Sequence, residues 1–164
     1  MGIGETAKAE IERLEEDVLY TEKAHFSAAA TLQKVHIRLG VFGTVAAAAS
    51  AATILAESSP WVSGLLALVA SISTAILTFV KPEERATQHL QAGRALGALR
   101  VRMRQFRSLH NLDGMDPQEV RESVVSLSQE KATVDAGAPA VSDRAFKSGR
   151  RAIDKGLFKH DADN

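Results

Sequence analysis

Residues 39–80 read LGVFGTVAAAASAATILAESSPWVSGLLALVASISTAILTFV and carry one charged side chain, Glu57. It separates an uncharged run of 18 residues (39–56) from one of 23 (58–80). At 1.5 Å per helical residue, about 20 residues cross the roughly 30 Å of bilayer hydrocarbon, so both runs are long enough to span. Ser59 suits an N-cap and Pro60 the first helical position, which predicts a very short turn at 57–60 between spans at 39–56 and 61–80. Trp61 then falls where an indole meets the headgroup layer. Insertion is driven unequally. The six large apolar residues of the first run contribute only about −2 to −3.5 kcal/mol on an insertion scale, seven of its residues being alanine, whereas the second run has ten such residues. The competing reading is a helical pair buried in a soluble bundle, but the remaining chain has no other segment apolar enough to cover it.

Charge sets the expected orientation. Lys23, Lys34 and Arg38 precede the first run, Lys81, Arg85, Arg94 and Arg100 follow the second, and the turn has no Lys or Arg, so both termini are expected in the cytoplasm. The first apolar stretch lies behind a charged region and continues into a second, unlike a secretory signal. Over all 164 residues, 20 basic residues balance 20 acidic ones. That balance argues against nucleic acid as partner, and the absence of cysteine removes disulfide frameworks and thiolate zinc sites.

Outside the apolar runs, small or apolar residues recur in alternating steps of three and four. One seam is Ile11, Leu14, Val18, Thr21, His25, Ala28, Leu32, Val35, Leu39, within a helix expected over 5–38. The other is His89, Ala92, Leu96, Leu99, Met103, Phe106, His110, within a helix expected over 83–111. If both continue the spans as antiparallel helices, neighbours have numbers summing to about 120, which pairs Leu14 with Phe106 and Val18 with Met103. It also sets Glu15 near Arg104, Glu12 near Arg107 and Asp17 near Arg102. The basic residues Arg100, Arg102, Arg104 and Arg107 are thereby half of an ion-pairing pattern, with an RNA- or lipid-binding stripe as the sharper alternative. Asp116, Pro117 and Glu119 start a helix over 117–134. A further short helix over 142–158 carries Ala145, Phe146, Ile153 and Leu157 opposite Arg144, Lys147, Arg150, Arg151 and Lys155, and packs on the bundle or lies on the inner leaflet; a tail (159–164) follows. The expected fold class is all-α: a transmembrane helical hairpin extended into a cytoplasmic antiparallel coiled coil, plus two short C-terminal helices, in a single domain over 1–164.

The sequence offers no catalytic, cofactor or metal constellation, so an enzyme is not expected: the five histidines do not share a helix face at ligand spacing and HExxH is absent. His25 and His89 fall on the seams as a polar core layer or a pH switch. Within the spans, small residues repeat at Gly43, Ala47, Ala51 and at Ser63, Ala67, Ser71, Ala75, the spacing that lets lipid-embedded helices pack closely. Two spans per chain enclose no conduit, so a passage requires a homo-oligomer. Its candidate lining is Ser50 and Thr53 with Ser71, Thr74 and Thr78, against the plainer reading that each hydroxyl bonds its own helix backbone.

The segments YTEKAHFSAAATLQKVH, the alanine-rich span, the short proline turn, FVKPEERATQHLQAGRALGALRVRMRQF and GAPAVSDRAF together resemble the SLATT domain over roughly residues 10–158. That resemblance implies a two-transmembrane, pore-forming effector of bacterial anti-phage systems. Such an effector disrupts the inner membrane in abortive infection, on a signal from a nucleotide second-messenger synthase or sensor encoded nearby. On that resemblance the chain is expected to be the SLATT unit alone. The alternative expectation is a non-conducting adaptor whose cytoplasmic coiled coil recruits a soluble partner.

Overall fold

A computed structural model describes residues 2–57, 59–110 and 112–156. Ser58, Asn111 and residues 157–164, hence Leu157, Phe158, His160 and the expected tail, lie outside the described residues. Five helices and no strand occur among the described residues: α1 (Ile3–Leu55), α2 (Pro60–Val80), α3 (Pro82–Leu109), α4 (Pro117–Gly137) and α5 (Asp143–Asp154).

The chain's breaks follow from local chemistry. Prolines stand at the first positions of α2, α3 and α4, where the missing N–H removes no helical bond. Two non-glycine residues adopt left-handed torsions, Glu57 (φ 52°) just after α1 and Lys81 (φ 48°) between α2 and α3. At Lys81 the following proline ring disfavours the right-handed helical region, and the left-handed alternative costs roughly 1–2 kcal/mol. Ser142 caps α5 by accepting from the Ala145 amide at 3.3 Å.

The helices divide into two compact units, residues 1–29 with 88–164 and residues 30–87. The first unit has the conventional core. Ile11 and Val18 of α1, Leu96, Leu99 and Met103 of α3 are fully buried, and Leu112 nearly so, with Leu14, Phe106, Val124, Leu127 and Val134 packed around them. Contacts descend along α3 as they ascend along α1: Arg107 bonds Glu12 at 3.1 Å and Glu15 at 3.3 Å, Arg100 bonds Glu22 at 3.0 Å, and a Cβ on Gly93 would stand 3.1 Å from the Phe26 ring.

Two expected ion pairs are replaced. Asp17 bonds Lys131 at 2.8 Å rather than Arg102, and Arg102 pairs with Glu130. Both new partners belong to α4, which lies against the α1–α3 seam and supplies opposite charges nearer than those across it. Glu15 turns to Arg107, and Arg104 is exposed with no ion pair among the described residues. Burial opposes the charge of Lys131, but hydrogen bonds to Asp135 and Asp17 and their charges outweigh it and raise its pKa.

Helix α5 packs on α1, with Ala145 and Gly149 buried and the Phe146 ring 6.4 Å from that of Tyr20. Backbones nearly touch there: a Cβ on Gly149 would stand 2.8 Å from the Lys23 carbonyl carbon and the Ala24 nitrogen, closer than any side chain tolerates. Gly149→Leu should therefore release α5, raising the rate of tryptic cleavage at Arg150 and Arg151 at least tenfold, whereas Ser148→Leu on the exposed side should leave it unchanged. Equal cleavage rates in the two variants would contradict this packing.

Candidate functional site

The second unit holds residues 30–87, and its exterior inverts the usual pattern. Phe42, Ile54, Leu65 and Phe79 are more than half exposed, as are Val41, Val45 and Leu68, and Trp61 reaches 87%. Two helices are long and apolar enough to cross a membrane, and their apolar windows are only 17% and 6% buried. Water would penalise such a surface by tens of cal/mol per Å², a cost that hydrocarbon surroundings remove.

What the unit does bury is small. Gly43, Ala46, Ser50 and Ser73 are its buried positions among the described residues of the apolar runs. A Cβ on Gly43 would stand 3.0 Å from Ser73 Cβ, and the Ser50 hydroxyl donates to the Ser63 carbonyl across the helix pair at 2.9 Å. That bond matters because it ties a side chain of α1 to the backbone of α2 in a setting short of other polar partners. The contact residues on α1 follow steps of three and four (43, 46, 50), which hold one face. Strict steps of four drift about 40° per repeat around a helix of 3.6 residues per turn, so Gly43, Ala47 and Ala51 do not share the contact. The predicted packing residues accordingly divide. Gly43 lies in the contact and Ser63 borders it, whereas Ala47, Ala51, Ala67 and Ala75 face outward.

The predicted lining residues divide likewise. Ser50 sits between the helices, and Thr53, at its edge, donates to the Ser50 carbonyl at 2.8 Å. Ser71, Thr74 and Thr78 are exposed on α2 at i, i+3 and i+7, donating respectively to the carbonyls of Ala67, Ala70 and Thr74 at 2.9–3.0 Å. Their protons are thus committed to the helix, and their oxygens remain outward as acceptors.

The four arginines of the predicted basic patch are mostly spent: Arg100, Arg102 and Arg107 are engaged with Glu22, Glu130 and the Glu12–Glu15 pair. Exposed cations of the first unit with no ion pair among the described residues include Arg144, Lys147, Arg150 and Arg151 on α5 and Lys155 just after it. An open groove of about 510 Å³ between α3 and the end of α4 is lined by Gln88, Gln91, Ala92, Thr133 and Val134, among others, with no acid or base.

Sequence reasoning missed Ala46 and Ser73 as contact residues. On α1 small residues at mixed three- and four-residue steps (Gly43, Ala46, Ser50) carry the signal for Ala46, whereas on α2 Leu66 interrupts the corresponding series from Ser63 to Ser73.

Gly43→Val inserts an isopropyl group against Ser73 and should destabilise the helix pair by about 1–3 kcal/mol in detergent melting. Gly64→Val, with open space around its Cβ, should change it by less than about 0.5 kcal/mol. No family model, curated protein or solved structure matches the chain.

Proposed function

We propose that the chain is an integral membrane protein whose residues 39–80 form a transmembrane hairpin. The flanking parts of α1 and α3 form an antiparallel cytoplasmic coiled coil, braced by α4 and α5. The carrying observation is the second unit's exposed apolar exterior, which its own chain leaves uncovered. The lysines and arginines flanking both runs, with only Glu57 at the turn, support placing both termini in the cytoplasm. The bacterial inner membrane is the location that the SLATT resemblance implies.

Copies associate sideways in this reading. Ala47, Ala51, Ala67 and Ala75 lie outside the intrachain contact, so they are free to meet neighbouring helices, where small side chains permit close approach. Ser71, Thr74 and Thr78 offer outward hydroxyl oxygens for the lining of a passage enclosed by several copies. With the resemblance, this reading describes a pore-forming effector that ends an infected cell's growth by dissipating its membrane potential. A nucleotide signal or a neighbouring gene product would trigger it. The second reading, a non-conducting adaptor, draws on the exposed cations in α5 and at Lys155 just after it, which suit an acidic soluble partner.

Reconstituted into vesicles together with its genomic neighbours, the protein should release an entrapped ion dye. Ala47→Leu and Ser71→Leu should each lower the release at least tenfold while membrane insertion, read by carbonate extraction, stays complete. Unchanged leakage in both variants would remove the sideways-packing argument. No leakage from the unaltered protein, together with stoichiometric recovery of a soluble partner, would establish the adaptor instead.

A further inference from the structure

The imidazoles of His25 on α1 and His89 on α3 are 2% and 7% exposed, and their Nδ1 atoms stand 2.9 Å apart with ring centroids 5.1 Å apart. A hydrogen bond between two ring nitrogens needs a proton on one and a lone pair on the other, so the neutral pair must combine opposite tautomers. One added proton is compatible with this geometry, because an imidazolium can donate its Nδ1–H to a neutral partner. A second sets two donors against each other with no acceptor between them and places two like charges in a buried layer.

The surroundings do little to shelter that second charge. On α1 the nearby Glu22 is committed to Lys23 at 2.8 Å and to Arg100 of α3 at 3.0 Å. Arg94, also on α3, is exposed. On α4, Asp135 is the one carboxylate with a resolved influence on His25, and it is held by Lys131 at 2.7 Å. On α5, which abuts Lys23 and Ala24 through Gly149, Arg150 and Arg151 are basic and exposed.

We propose that His25 and His89 form a proton-operated latch between α1 and α3, closed while the pair holds at most one added proton and opened by the second. Burial, then the neighbouring His89, lowers the pKa of His25 from 6.5, partly offset by Asp135; burial likewise lowers that of His89. A depressed histidine pKa stabilises the folded arrangement fully above about 6.5. The stabilisation is lost as pH falls from there through the lowered folded values. Each proton taken up on opening changes the closed-to-open ratio up to tenfold per pH unit.

The test is amide hydrogen exchange of the full chain in detergent at pH 7.5 and pH 5.0, corrected for intrinsic exchange rates. Segments 20–29 and 88–96 should exchange at least tenfold faster at the lower pH, while segment 62–76 does not change. In the H25Q/H89Q variant, whose amides can hydrogen-bond but not titrate, the response should disappear. An unaltered protein indifferent to pH, or a variant that keeps the full response, would overturn the latch. If the double variant does not fold, ¹⁵N-imidazole titration of the unaltered protein decides. Two coupled steps below 6.5 support the latch, and independent titration of both rings at 6.5 overturns it.

Discussion

A helix satisfies its own backbone but not its side chains, and residues 39–80 are where that division decides everything else. Residues 39–55 and 60–80 are helical, so away from the helix ends their N–H and C=O groups bond within α1 and α2, as a hydrocarbon environment would require. Their side chains are large and apolar on the outside and small on the inside. A soluble domain arranges these the other way round, since burying Phe42 and Leu65 rather than Gly43 and Ala46 is what would stabilise it in water. That order of sizes supports the membrane reading proposed above, in which close backbone approach replaces the hydrophobic effect as the force between helices.

The two units differ in what they bury. In residues 1–29 and 88–156 the core is Ile11, Val18, Leu96, Leu99 and Met103, held by burial from water, with ion pairs such as Glu12–Arg107 at its margin. Each of those exposed pairs contributes only about 0.2–1 kcal/mol, so they select which helices lie together more than they bind them. In residues 30–87 the polar contacts between helices include the Ser50 hydroxyl on the Ser63 carbonyl at 2.9 Å and His36 with Glu83 at 3.4 Å.

The all-helical class and the two long apolar helices were legible because they rest on features of single segments: charge-free runs, mixed three-and-four spacing, and prolines at helix starts. Partners were less so. Arg102 and Asp17 each lay opposite an acceptable partner across the α1–α3 seam, and both bonded to α4 instead, because pairwise register arithmetic contains no third helix. Of the small-residue series on α1, Gly43 lies in the contact with α2, whereas Ala47 and Ala51 follow it at a spacing that rotates away from that contact. His25 and His89 were readable as seam positions, yet their numbers sum to 114 rather than the 120 of their neighbours, so their direct meeting at 2.9 Å was not.

Lys81 is the single residue between α2 and α3, and Pro82 after it has no N–H to offer the Thr78 carbonyl. Its ring also opposes the torsions that would let the two helices fuse into one. The main-chain bond that would run from residue 82 to the Thr78 carbonyl is therefore missing at this junction, and the break between the two helices is carried by the backbone angles of one residue.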